Sequence, residues 1–139
     1  QPEGMRNRIE RIGEVAVLDD AYNANPLSMT AALRTLATLP GRTYAVLGDM
    51  LELGEAERHA HAAVLHAAMT CGLAAVWVTG PRMAEAALHV PGVVVFSDAE
   101  ALAEQLVATI AAGDSLLVKG SRGARMERVV ERLRAARRG

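Results

Sequence analysis

Short β-branched runs alternate with helix-period segments along nearly the whole chain, and few architectures accommodate that pattern. Val15 to Leu18, Thr43 to Leu47, Ala75 to Thr79, Val93 to Phe96 and Ser115 to Val118 read as strands. Ser28 to Leu39, Glu55 to Cys71, Met83 to Leu88, Ala99 to Ala111 and Arg125 to Arg137 read as helices. Parallel strands require crossovers, and crossovers are usually helical, so the expected class is α/β: three layers, with a mostly parallel sheet of about six strands and helices on both faces. Ahead of the first of these strands, Arg8-Ile9-Glu10-Arg11-Ile12 alternates polar with apolar, and Gly13-Glu14 offers a two-residue turn. One antiparallel strand at a sheet edge follows from that hairpin signal.

The composition limits what such a domain can do. A length of 139 residues with 51% hydrophobic content suits one domain, residues 1–139, around one sheet. Fifteen basic against sixteen acidic residues leave a net charge of -1, without the excess basicity of a nucleic-acid binder. No apolar run approaches the roughly 18 residues of a membrane span, so neither nucleic acid nor membrane is an expected partner. The single cysteine, Cys71, lies in an Ala-rich helical pattern and reads as a buried structural thiol in a reducing, cytoplasmic setting. A start at Gln1 rather than Met is what a piece of a longer protein would show.

Polar residues gather where strands end, which is where open α/β sheets bind ligands. The first parallel-type strand leads into Asp19-Asp20-Ala21-Tyr22-Asn23-Ala24-Asn25-Pro26, richer in carboxylate, phenol and amide groups than a helix cap requires. The second leads into Gly48-Asp49-Met50-Leu51-Glu52-Leu53-Gly54, two carboxylates between glycines. The last leads into Lys119-Gly120-Ser121-Arg122-Gly123, a cation, a hydroxyl and a guanidinium where a helix N-terminus is expected to welcome a carboxylate or phosphate. Arg125, Arg128 and Arg132 recur at helical spacing and, with Arg134, Arg137 and Arg138, read as a solvated face.

Familiar catalytic patterns are missing. The sequence has no GxxxxGK[ST] loop and no GxGxxG fingerprint, so a nucleotide's phosphates would have to be held by another domain. His59, His61, His66 and His89 have no matched Cys or carboxylate pattern, and no metal site is expected. No serine occupies a GxSxG elbow, and no catalytic residue is assigned within this domain.

The ordered set Asp19 to Pro26, Ser28-Met29-Thr30-Ala31-Ala32-Leu33, Gly48 to Gly54, and Val118 to Arg122 with Met126-Glu127 resembles the C-terminal domain of the Mur ligases. Within that family it is most similar to the branch that joins D-alanyl-D-alanine to UDP-N-acetylmuramoyl-tripeptide in peptidoglycan synthesis. The likeness runs from about Arg6 to about Leu133. It implies a Rossmann-like third domain whose companions, a UDP-sugar domain and a central ATPase domain, are not in this sequence. The reaction implied is ATP-dependent amide formation: the peptide carboxylate becomes an acyl phosphate, which the amine of D-Ala-D-Ala attacks. ATP and Mg would be held mainly by the central domain, and this domain alone would be inactive. The resemblance assigns Asp20 to the ATP ribose and places Arg6, Tyr22, Asn23 and Asn25 on the nucleotide side. It places Lys119, Ser121 and Arg122 toward the incoming dipeptide, with Asp49 and Glu52 as weaker candidates there. His61 matches a family histidine in the helix after the Gly48 to Gly54 loop and is read as structural, and the enzyme is expected to be a cytoplasmic monomer.

Two other readings use the same residues. A phosphoacceptor receiver domain would account for Asp19, Asp20 and Lys119, but Val76-Trp77-Val78-Thr79-Gly80 lacks the aspartate it needs. A stand-alone nucleotide-binding or scaffold module would need useful ATP binding without a phosphate loop.

Overall fold

The computed structural model of the protein describes residues 9–20 and 24–138. Arg6, Tyr22 and Asn23, expected on the nucleotide side, lie outside the described residues. Six strands form one sheet: β1 (Ile9–Ile12), β2 (Val15–Asp20), β3 (Thr43–Leu47), β4 (Ala75–Thr79), β5 (Val94–Phe96) and β6 (Ser115–Lys119). Their spatial order is β1-β2-β6-β3-β4-β5. All neighbouring pairs are parallel except β1 with β2, which form the antiparallel hairpin expected at the edge.

Among the described residues four α-helices join the strands, α1 (Pro26–Ala37), α2 (Glu57–Met69), α3 (Pro81–Ala87) and α4 (Ala99–Thr109), and α5 (Glu127–Arg137) follows β6. The period of two along each strand divides the core between the faces. Leu18, Leu47, Val78 and Leu117 pack with Met29, Leu33, Val64 and Met83 of α1, α2 and α3. Val15, Val17, Val46, Leu116 and Val118 pack with Leu102, Leu106, Val129 and Leu133 of α4 and α5. Connections from β2, β3 and β4 all step in one direction across the sheet, whereas the chain from β5 returns over the other face to β6. The fold class is therefore the three-layer α/β arrangement read from the sequence.

Several boundaries differ from the sequence reading, each for a local reason. β2 continues to Asp20 and β6 to Lys119, because ladder pairing carries both strands past their apolar residues. α1 begins at Pro26 rather than Ser28: Asn25 Oδ1 accepts the Ser28 N–H at 2.9 Å, and the Ser28 hydroxyl accepts the Asn25 N–H at 3.2 Å. This reciprocal cap starts the helix early, with proline at its first position. α5 begins at Glu127, so the Gly120–Gly123 stretch forms a loop and a single 3-10 turn (Arg122–Ala124), not the helix N-terminus expected there. The basic face of α5 is partly engaged: Arg132 pairs with Glu100 at 2.8 Å, and Arg137 donates to the Ile110 carbonyl at 2.6 Å. Cys71 is half-buried rather than fully buried, its Sγ lying 3.3 Å from the Ala67 carbonyl oxygen. Among the described residues no helix is long and apolar enough to cross a membrane.

Because β6 is buried along its whole length, its apolar side chains should dominate stability. Leu117→Ala should lower unfolding free energy in urea titration by about 3 kcal/mol, whereas Leu27→Ala, at a side chain 81% exposed, should change it by less than about 0.5 kcal/mol.

Candidate functional site

The parallel strands β2, β6, β3, β4 and β5 all end at one edge of the sheet. The chain leaves β2 and β3 toward the α1–α3 face and leaves β6 toward the α5 face, the switch in direction beside which open α/β sheets bind ligands. The acidic, amidic and basic segments singled out in the sequence are brought to this edge.

On the β2 side, Asp20 stands in register with Lys119, and both lie on the α1 face of the sheet. The Lys119 ammonium donates to Asp20 Oδ2. Lys119 is 1% exposed, whereas the Asp20 side chain is 36% exposed. Lys119, expected to face the dipeptide, is thus turned inward to the acidic side. Asn25 is exposed close by in sequence and is occupied in capping α1.

On the β3 side, backbone pairing runs beyond the strands. Gly48 N–H donates to the Lys119 carbonyl at 2.8 Å, and Ser121 N–H to the Asp49 carbonyl at 2.9 Å. The Ser121 hydroxyl accepts the Leu51 N–H at 2.9 Å. Close packing makes this possible, since a Cβ at Gly48 would lie 2.8 Å from Met126 Sδ and one at Gly120 would lie 2.7 Å from Met126 Cγ. His61 completes the fastening: its Nδ1 lies 2.7 Å from the Glu57 carbonyl oxygen, and its Nε2 accepts the Met50 N–H at 3.0 Å. A carbonyl can only accept and a backbone N–H can only donate, so these two bonds place the ring proton on Nδ1. The structural role implied for His61 has a specific content: it holds the loop that carries Asp49 and Glu52.

Asp49 is 4% exposed, and its carboxylate is engaged by the protein. Its Oδ1 accepts the Met83 N–H at 2.9 Å and its Oδ2 the Arg82 N–H at 3.1 Å, at the start of α3. The Arg82 guanidinium adds a contact at 3.3 Å and bonds Glu57 through Nε at 2.9 Å. The pKa of Arg82 is raised by its bond to Glu57 and, after that, by its bond to Asp49. A buried carboxylate is tolerated because backbone N–H groups and a cation satisfy it. Asp49 is therefore occupied as the cap of α3 instead of standing free for a dipeptide ammonium. Glu52 is exposed in a left-handed conformation (φ 63°), and Arg122 is exposed in the turn after β6.

Two cations that the sequence reading did not place in a site are found here. A cavity of about 310 Å³ opens between the ends of β3, β4 and β5 and the turn after β6, lined by Asp49, Arg82, Ser97, Asp98, Gly123 and Arg125. Arg125 belongs to no helical series; it is the left-handed residue (φ 59°) that ends the 3-10 turn. The density of glycine in Gly120-Ser121-Arg122-Gly123 was the signal against an early helix start. For Arg82 the signal was Gly80-Pro81, a strand end followed directly by a helix start. Among the described residues no three His, Cys, Asp or Glu side chains gather as a metal would require.

With this geometry in view, comparison with known proteins is informative. Residues 7–122 match the family described as Mur ligase, glutamate ligase domain. The chain belongs to the Mur ligase family. It is 43% identical over 120 residues to the UDP-N-acetylmuramoyl-tripeptide–D-alanyl-D-alanine ligase of Escherichia coli, covering 84% of this chain and 26% of that protein. The enzyme of the same name from Treponema pallidum is 41% identical over 126 residues, covering 85% of this chain and 27% of that protein. The chain thus spans about a quarter of the length of these relatives. Among solved structures, the MurF ligase of Thermotoga maritima in complex with ADP superposes with a TM-score of 0.83 at 30% identity, over 94% of this chain and 30% of that one. MurF from Acinetobacter baumannii gives 0.83 at 26% identity, over 97% and 30%.

The loop anchors should be separable by mutation. His61→Ala leaves the buried Met50 N–H without an acceptor and should cost about 2–4 kcal/mol in chemical denaturation. Gly80→Ala should be at least as damaging, because φ is +107° and the new Cβ would lie 2.4 Å from Asp49 Oδ1.

Proposed function

We propose that this chain is the C-terminal domain of an ATP-dependent ligase that adds D-Ala-D-Ala to UDP-N-acetylmuramoyl-tripeptide, and that it supplies one wall of a composite active site. The observation that carries this reading is the division of one sheet edge into two chemically different halves. Toward β2 lies a partly exposed carboxylate, Asp20; toward β3, β4 and β5 lies a cavity with Arg82 and Arg125 on its wall and Arg122 in the adjoining turn. Vicinal hydroxyls of a ribose donate well to a carboxylate that is partly in solvent. The carboxylate end of a dipeptide suits planar guanidinium groups, which bind it at two points. The reported relatives carry the ligase name, and one solved neighbour holds ADP, which supports the nucleotide half.

The rest of the chemistry belongs to the remainder of such an enzyme. With no phosphate loop in the sequence and no gathered metal ligands among the described residues, ATP phosphates and Mg would be held by the central domain. This domain would close on that one, orient the nucleoside and the amine donor, and exclude water from an acyl phosphate. Tight packing at the strand ends suits that task, since the start of α3 with Arg82 and the loop bearing Ser121 and Arg122 are tied to one another through the Asp49–Leu51 segment. A cytoplasmic monomer that needs neither nucleic acid nor membrane is part of the same proposal. A receiver-type reading predicts magnesium-dependent labelling by a small phosphodonor; none is expected.

The test is steady-state ADP release dependent on D-Ala-D-Ala, measured on a full-length ligase bearing this domain. Asp20→Ala should raise the KM for ATP about tenfold or more while leaving the dipeptide KM within about twofold. Arg122→Ala and Arg125→Ala together should do the reverse. An unchanged ATP KM in the first variant would overturn the nucleotide assignment, and an unchanged dipeptide KM in the second would overturn the amine-donor assignment.

A further inference from the structure

Among the described residues, Lys119 is the largest of the side chains buried to below 2% exposure, and it is the only charged one among the largest of them. A lysine at the end of the central strand of a parallel sheet is an expensive choice unless its ammonium has a fixed partner. Its register neighbours are Asp20 on β2 and Leu47 on β3, and of their two side chains only that of Asp20 can accept a hydrogen bond. The side-chain alternation that sends Leu18, Leu47 and Leu117 to the α1 face sends Asp20 and Lys119 there as well. Position and polarity therefore direct Nζ toward the acidic half of the edge and away from the cavity that holds Arg82 and Arg125.

We propose that Lys119 is a positioning residue for the nucleoside: its buried ammonium clasps one oxygen of Asp20 and so fixes the orientation in which the carboxylate accepts ligand hydroxyls. This rests on the reading of Asp20 as the ribose acceptor. An ionised carboxylate offers about four lone-pair sites, so one oxygen held by Lys119 leaves capacity for two hydroxyl donors. The two partners are not equivalent. Asp20 is over a third exposed and can be hydrated when unpaired, whereas Lys119 is enclosed and its ammonium must be satisfied within the protein. The segment Lys119-Gly120-Ser121-Arg122 then serves both halves of the site: Lys119 acts on the nucleoside through Asp20, and Ser121 secures the loop of the opposite half through the Leu51 N–H.

Steady-state kinetics of a full-length ligase bearing this domain test the idea. Lys119→Met keeps an unbranched stem, leaves no buried charge behind, and should raise the ATP KM about tenfold while the dipeptide KM stays within about twofold. In an Asp20→Asn background the same change should add less than about twofold to the ATP KM, because its effect passes through the carboxylate. Lys119→Gln restores a donor and should recover part of the loss; if the methionine variant fails to fold, the ATP-against-dipeptide split is read on Lys119→Gln. A rise in dipeptide KM with ATP KM unchanged, or full additivity with Asp20→Asn, would overturn the proposal. If Asp20→Asn raises the ATP KM and the Lys119 variants do not, the positioning role alone fails; if Asp20→Asn changes nothing, the nucleotide reading fails with it.

Discussion

The arrangement of this domain depends on a hydrogen-bonded ladder that does not stop where its strands do. β3 and β6 pair in register to Leu47 and Lys119, and two further backbone bonds, Gly48 to Lys119 and Ser121 to Asp49, carry the pairing into the loops. Those bonds need the two chains to approach closer than side chains allow, which is why glycine stands at positions 48 and 120 against Met126. Loops at the end of a sheet are ordinarily its most mobile parts. Here they are continuations of the core, and every candidate ligand-facing group beyond β3 and β6 inherits its position from them.

Charge is distributed around that ladder by the same economy of burial. Among the described residues, Lys119 and Asp49 are ionisable side chains enclosed where β6 and β3 end, and each has a partner from a different element. Lys119 joins β6 to β2, and Asp49 joins the loop after β3 to the start of α3. A buried charge left unpaired would be far more costly than either bond is worth, so these contacts define geometry more than they add stability. The more exposed groups, Asp20, Arg122 and Arg125, are then presented outward from a rigid support. Groups held in this way are preorganised for a ligand, with little left to order on binding.

The fold was legible in the sequence because periodicity reports directly on which residues face a core. Each strand and helix expected within the described residues is present, and the antiparallel edge strand followed from Gly13-Glu14. Element ends were less legible. Asp19 and Asp20 look like loop residues by composition, yet they are paired to Val118 and Lys119 in the ladder, because tertiary pairing outweighs local propensity. Arg125 fits a helical series with Arg128 and Arg132 by spacing alone, and the left-handed turn that removes it from that series becomes visible only in the backbone.

The sequence by itself determined the class of the domain, the sheet edge at which chemistry gathers, and the family, since periodicity and ordered motifs are properties of the chain read locally. Only the tertiary structure decided which polar residues stay exposed at that edge and which are consumed within the protein. Asp20 and Asp49 are both carboxylates just after an apolar strand, but one is over a third exposed and the other is satisfied by the first turn of α3. Lys119 and Arg122 are both cations of one short motif, but one is buried and the other is exposed. The physical reason is that a side chain's availability depends on neighbours that are distant in the chain: 99 residues separate Lys119 from Asp20, and 34 separate Met83 from Asp49.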